Sequence, residues 1–272
     1  MVESMADVQR IALKVEYCGR EYFGWQRQPS VPTVQATLED SLAQVAGMPV
    51  TIHAAGRTDA GVHASGQIVH FDVQVRRPLT AWVRGVNSHL PSSVAVLWAG
   101  VMPDTFHARH SALTRTYRYT LLNRPVRPAI SAPRLGWYYL PLDTDCMQQA
   151  ADYLIGRHDF SAFRAAECQA ISPVREMVRV VVSRQDDIIR FELTANAFLH
   201  HMVRNIVGSL IMVGAGARPA EWMGDLLASR NRHLAGATAA AAGLCLIRVE
   251  YPPLFGLPES AHAEEQRSKN SS

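Results

Sequence analysis

Lysine is almost absent from this chain. Of its 27 Lys and Arg residues, only Lys14 and Lys269 are lysines. Basic character is therefore carried by guanidinium groups, planar forks of donors that suit phosphates and base edges. A GC-rich coding sequence would give the same bias, so composition permits a nucleic-acid partner without establishing one. Cysteine is also scarce. Cys18, Cys146, Cys168 and Cys245 are scattered without CxxC spacing, which argues against a zinc ribbon and a disulfide framework. Long apolar runs are missing. The closest, residues 198–217, is broken by His200, His201, Arg204 and Asn205, so no membrane span is expected. Glu3, Asp7 and Arg10 interrupt any signal-peptide core at the start. The expectation is a soluble, cytoplasmic protein with free thiols.

What is present is a large apolar fraction, 48% of 272 residues, and a net charge of only +3. That suffices for one large domain or two ordinary ones. Residues 10–17 alternate, with Ile11, Leu13, Val15 and Tyr17 on one face, as a half-buried strand does. Thr33 is placed to cap a helix carrying Val34, Leu38, Leu42 and Val45 on one stripe. Residues 50–54, 67–73 and 94–101 read as strands, and Thr80 as the cap of a second helix running to Leu90. The order is β-α-β-β-α-β, a ferredoxin-like pattern. The second half repeats it. Residues 114–122 form a strand and Asp143 opens a helix to Ile155. Strands 178–183 and 188–194 flank a Gln185–Asp187 turn. An apolar helix spans 198–213, another starts at Pro219, and 244–251 closes as a strand. The expected fold is α+β: two ferredoxin-like, RRM-like βαββαβ halves whose mixed sheets form a central cleft. The boundaries are 1–105, 106–256 and a disordered tail, 257–272. Helices on one face of each sheet leave the other faces free to meet. Such sheets are a common platform for single-stranded RNA, although the fold alone assigns no function.

Between two of the strands lies Gly56-Arg57-Thr58-Asp59-Ala60-Gly61-Val62-His63. The glycines permit a tight turn, and a plain solvated turn is the ordinary reading of such a loop. The whole GRTDAGVHA run, however, resembles the catalytic motif of the TruA family of tRNA pseudouridine synthases. Five further segments resemble that family: Tyr22–Gln28 (YFGWQRQ), Phe106–Arg109 (FHAR), Arg115–Tyr119 (RTYRY), Asp159–Arg164 (DFSAFR) and Asn196–Asn205 (NAFLHHMVRN). The likeness runs from about residue 10 to 252. Pro125 departs from it, in a loop where a polar or basic residue is expected; Arg124 or Arg127 could substitute.

The resemblance implies isomerisation of uridines 38, 39 and 40 in the tRNA anticodon arm, with no external cofactor and no metal. The N1–C1′ bond breaks, the base turns, and it rejoins through C5. Asp59 is the implied nucleophile, adding to the nucleoside or stabilising a cationic sugar; both routes need it ionised. A carboxylate in a dry cleft needs a counter-charge. Arg204, on its apolar helix about 200° from Met202, is the candidate, with simple exposure of that helix face as the plainer alternative. Tyr117 is expected to stack on the uracil and to assist proton loss at C5. Arg57 is expected to fill the space of an extracted base, and Leu244 to pack against that base. RNA contacts are implied for Arg77, Phe106, His107, Ala108, Arg109, His110, Arg164, Glu167, Cys168 and Gln169. A homodimer is implied, with the 198–213 helix and the second-half strands as plausible contact surfaces.

A metal reading of the histidines finds no HExxH or Cys/His cluster. His200 and His201, as helix neighbours, are expected to point about 100° apart. Two rival functions remain. A non-catalytic RNA-binding module explains the arginines but not the Asp-bearing glycine loop. A nucleoside hydrolase would usually need a second acid beside Asp59, and none accompanies the motif.

Overall fold

A computed structural model describes residues 8–258. The expected tail therefore lies outside the described residues from 259 onward. Strand β1 (Gln9–Tyr17) buries Ile11, Leu13, Val15 and Tyr17 as its alternation requires. It pairs antiparallel with β3 (His63–Val73) and β4 (Val94–Met102). Helix α1 (Val34–Ala46) is capped by Thr33, whose Oγ1 accepts from Ala36 N, and stops at Gly47 in the left-handed region at φ 72°. Strand β2 is only His53–Ala54, paired with β3. Val50 and Ile52 are buried ahead of it but join no ladder.

The helix expected from Thr80 is centred on a π-helical turn, Ala81–Gly85. Thr80 does not cap it. Its backbone is already helical, its side chain makes no cap bond, and Ala81 N donates to Pro78 O. Pro78, with its fixed φ, starts the turn earlier.

In the second half, β5 (Thr114–Asn123) pairs antiparallel with β9 (Ile188–Ala195), which forms a hairpin with β8 (Val174–Gln185). Two short strands were not anticipated. β6 (Gly136–Tyr138) runs parallel to β5, and β7 (Gly156–Asp159) pairs with β8. Asp143 caps α2 (Thr144–Asp152) through Oδ1, which accepts from Asp145 N and Cys146 N at 2.9 Å. Helix α3 (Met202–Gly214) begins four residues later than its apolar run suggests, because His201 sits at φ 60° and cannot continue a helix. Then come α4 (Trp222–Ser229) and β10 (Leu244–Glu250).

The class is α+β as expected, but the sheets do not face each other across open faces. They join edge to edge in one ten-stranded sheet, with path order β4-β1-β3-β10-β5-β9-β8-β7. The joint is parallel and short: Cys245 aligns with His63, and Leu246 with Ala64. Close approach is possible because residue 66 is glycine. A Cβ there would lie 2.3 Å from Ile247 O.

The main core lies between the sheet and the helices and runs through both halves. A smaller cluster, Ala12, Ala55, Ile68, Met102, Phe106 and Ala108, occupies another part of the fold, with Tyr251 and Phe255 against it. Helix α3 is deeply embedded, with Met202, Val203, Ile206, Val207, Leu210 and Val213 all buried. It therefore does not offer the spare apolar surface expected of it for a subunit contact.

Candidate active site

The loop from Gly56 to Val62 is held from beneath and from the side. Gln67, fully buried on β3, donates Nε2 to Gly56 O at 2.7 Å. Tyr17 OH hydrogen-bonds Thr58 Oγ1 at 2.8 Å. From the side comes the segment 22–25: Trp25 N donates to Thr58 O at 3.0 Å, and Gly61 N to Tyr22 O at 3.3 Å. Gly24 permits this contact, with φ at 94° and no room for a Cβ, which would fall 2.9 Å from Thr58 O. The YFGWQRQ segment thus supports the Asp loop. Its Arg27 is tied away in ion pairs with Glu39 and Asp40.

The loop presents the carboxylate of Asp59 to the start of α3. Arg204 NH1 lies 3.4 Å from Asp59 Oδ2, and Arg204 Nε donates to Ala239 O at 2.7 Å. The second bond aims the guanidinium. Two imidazoles complete the group: His200 Nε2 is 3.3 Å from Oδ1 and His201 Nε2 is 3.4 Å from Oδ2. The expectation that these rings diverge is corrected here. They precede the helix rather than lie on it, and the left-handed backbone at His201 brings them side by side, centroids 4.1 Å apart. A non-glycine residue in this region costs of order 1–3 kcal/mol and persists only where its surroundings impose it. His201 has its pKa lowered, first by burial and then by His200 and Arg204, against the opposing pull of Asp59.

Tyr117 on β5 is buried, its ring edge-on to Phe198 with centroids 5.1 Å apart. Its hydroxyl approaches the loop, 3.9 Å from where a Cβ on Gly56 would stand. Burial raises its pKa, with lesser contributions from Tyr17 and Asp59. Tyr117 therefore stays a neutral phenol at physiological pH. The site gathers an anion, a fixed cation, two imidazoles and a phenol around one short loop.

A sequence model of the family described as tRNA pseudouridine synthase matches residues 13–111 and 150–252. The chain belongs to that family. Its members are isomerases acting on tRNA. The tRNA pseudouridine synthase A of Thiobacillus denitrificans is 55% identical over 254 residues, covering 93% of this chain and 98% of its own. That of Pseudomonas aeruginosa is 54% identical, covering 93% and 90%, and that of Tolumonas auensis 50%, covering 92% and 96%. Among solved structures, a chain of a Cbf5-Nop10-Gar1 complex aligns at TM-score 0.38 and 12% identity, covering 87% of this chain and 48% of that one. That likeness is too distant to bear on the site.

The other residues singled out in the sequence are placed unevenly. Arg57 is exposed, two residues before Asp59 in the same loop. Leu244 is buried at the start of β10, aligned with Tyr119, inside the main core. Arg77 is exposed, its Nε donating to Val45 O. In the 106–110 segment, His107 is half-buried and Arg109 and His110 are exposed, but Phe106 and Ala108 are fully buried. The expectation of RNA contact at those two side chains is corrected. Phe106 anchors the segment in the smaller core cluster, and His70 Nδ1 accepts from Ala108 N at 3.1 Å. Arg164 is half-buried and donates NH2 to Cys168 O; Cys168 is half-buried, and Glu167 and Gln169 are exposed.

Sequence reasoning missed the contact of His200 and His201 with Asp59, although both stood in a quoted motif. It also missed Arg115. Nearly buried, Arg115 donates to the carbonyls of Ala55, Arg109, Ala112 and Asn196. That ties the chain before the Asp loop to the 106–110 segment and to the residues ahead of α3. Desolvation lowers its pKa. Among the described residues, no helix is long and apolar enough to cross a membrane.

Proposed function

We propose that the enzyme converts uridines 38, 39 and 40 of the tRNA anticodon arm to pseudouridine, with Asp59 as nucleophile. The observation that carries this is the carboxylate of Asp59 held 3.4 Å from Arg204, on a loop that also meets the phenol of Tyr117. Arg204 sets a fixed counter-charge beside the carboxylate, the group that serves either for covalent addition at the nucleoside or for stabilising a sugar cation. Tyr117 stacks on the extracted uracil and, as a neutral phenol, assists proton loss at C5 through its oxygen lone pairs rather than as a phenolate. Arg57 enters the space the base leaves, and Leu244 backs the base through the edge of the main core. The reaction takes a proton from C5 and returns one to N1, so neither an oxidant nor an external cofactor is called for.

Three adjacent target positions favour recognition of backbone over base edges. Arg77, Arg109 and Arg164 are the proposed phosphate contacts, with His107, His110, Glu167, Cys168 and Gln169 around them. A homodimer in which one tRNA meets both subunits, a division of the chain at residue 105, and a cytoplasmic location complete this reading.

The test is Asp59→Asn with tRNA carrying tritium at C5 of uridine. Tritium release should fall to background while tRNA binding is retained. Sustained multiple turnover by a variant shown by mass spectrometry to be free of deamidation would remove Asp59 from this role. Release of free uracil would favour a hydrolase instead. Light scattering without RNA should report about twice the 30.0 kDa chain mass.

A further inference from the structure

The two imidazoles beside Asp59 have no part in the chemistry proposed above, yet their placement is specific. His200 Nε2 faces Oδ1 at 3.3 Å, and His201 Nε2 faces Oδ2 at 3.4 Å. Charge-assisted hydrogen bonds are usually shorter, about 2.7–2.9 Å. The two separations run to different carboxylate oxygens, and each is close to the spacing of neighbouring ligands around a small tetrahedral ion. Bonds of about 2.0–2.1 Å to a tetrahedral ion put neighbouring ligand atoms about 3.3–3.4 Å apart.

We propose that Asp59, His200 and His201 form a binding site for a first-row transition-metal dication of the zinc type. Two imidazole nitrogens and one carboxylate oxygen suit zinc, cobalt, nickel or copper, and not magnesium or calcium, which take oxygen ligands. No two of the three ligand atoms are more than 4.8 Å apart, and among the described residues this is the group of three with such spacing. The side chains are partly open, 20%, 38% and 29% exposed for Asp59, His200 and His201. An ion can therefore enter, and small rotamer shifts can draw the ligands in. Three protein ligands leave a fourth position for water, the arrangement of an accessible rather than a structural zinc site.

The left-handed backbone at His201 supports this reading. An ordinary helical continuation through residues 200 and 201 would splay the rings; the turn at φ 60° instead sets them side by side. Four other histidines, His53, His70, His107 and His110, also cluster. There, however, Nδ1 of both His70 and His107 is taken by backbone N–H groups, and the nearby carboxylate, Asp72, has both oxygens engaged by Arg10. Arg204 works against the ion, because its guanidinium competes for Asp59 Oδ2. Binding should therefore be weaker than at a structural zinc site and reversible by a chelator.

An ion held here occupies the lone pairs of Asp59, so the site is inhibitory. That consequence rests on Asp59 being the nucleophile; the ion site itself does not. The test uses tag-free protein titrated with Co²⁺, read by its visible d–d bands. One equivalent should give bands of tetrahedral intensity, displaced by Zn²⁺ and unaffected by Mg²⁺. His200→Gln and His201→Gln, each checked for native circular dichroism, should both weaken them. Tritium release should fall to background over the same Zn²⁺ range and return with EDTA. Absent tetrahedral bands, or bands unchanged in both variants, would overturn the site. Bands as expected with full turnover at saturating Zn²⁺ would uphold the ion site and overturn the role given to Asp59.

Discussion

Replacing Arg204 with Gln removes the fixed cation beside Asp59 while keeping a polar side chain of nearly the same length. Unit charges at the observed 3.4 Å attract by about 1 kcal/mol in water and about 5 kcal/mol at an effective permittivity of 20. The two side chains are 15% and 20% exposed, between those limits. Removing Arg204 withdraws roughly 2–4 kcal/mol of attraction, which is an upper limit on the barrier change because part of it already acts in the ground state. In rate, that limit is about 30- to 1000-fold in kcat/KM. A second effect must be separated from this one. Arg204 Nε also donates to Ala239 O at 2.7 Å, and losing that bond costs about 1 kcal/mol of stability, a few degrees in Tm. Arg204→Lys distinguishes the two. An ammonium keeps the charge but cannot serve Ala239 and Asp59 together, so its activity should fall between wild type and Gln while its Tm matches that of Gln. The assay is single-turnover tritium release with tRNA binding measured in parallel. If Arg204→Gln stays within about threefold of wild type at saturating tRNA, the electrostatic pairing does not support catalysis.

Gln67→Leu should lower Tm and slow turnover together, because it leaves Gly56 O without its buried donor, at a cost of about 1–3 kcal/mol; an unchanged Tm would show that the loop does not depend on this bond. His70 is held at a pKa of about 4, below its usual 6.5, mainly by burial. The unfolded chain therefore binds the extra proton first, and stability should decline as pH falls from 6.5 towards 4. Urea melts across that range should show a shallower decline for His70→Gln. Arg109→Gln, altering an exposed side chain in a well-anchored segment, should reduce modification at all three positions together and lower the salt slope of tRNA binding by about one. Loss at one position alone, with the slope unchanged, would contradict backbone recognition.

Periodicity and capping residues made most of the strand and helix order legible, with the short β6 and β7 escaping both. Ile11, Leu13, Val15 and Tyr17 alternate into the core as the pattern required, and Thr33 and Asp143 cap the helices they were expected to cap. Failures occurred where backbone geometry overrode side-chain pattern. The apolar run from Phe198 hides the left-handed turn at His201, so two imidazoles assigned to a helix were given the wrong directions. The resemblance implies RNA contact at Phe106, and nothing local in the sequence reveals that Ala12, Ile68 and Met102 form a pocket for it. The edge-to-edge joining of the sheets was equally invisible, since it depends on two aligned pairs far apart in sequence. The Asp59–Arg204 pairing was legible only through the family resemblance, because the residues stand 145 positions apart.

That joint has a consequence for synthesis. β10 is the strand that pairs with both β3 and β5, and its residues are among the last of the fold to be made. Until Leu244–Glu250 clears the ribosome, the segments of β3 and β5 that it joins both stay unpaired, and unpaired edges invite association with other chains. The Asp loop lies just before β3 and Tyr117 lies on β5, so the two sides of the site are fixed relative to each other only when this late strand inserts. A nascent chain stopped anywhere before residue 244 should hold neither a closed sheet nor activity, however well its first hundred residues fold. Late closure also makes this a fold of long-range contacts, which form slowly. Production of the enzyme should accordingly be more sensitive to chaperone supply and temperature than its folded stability alone would suggest.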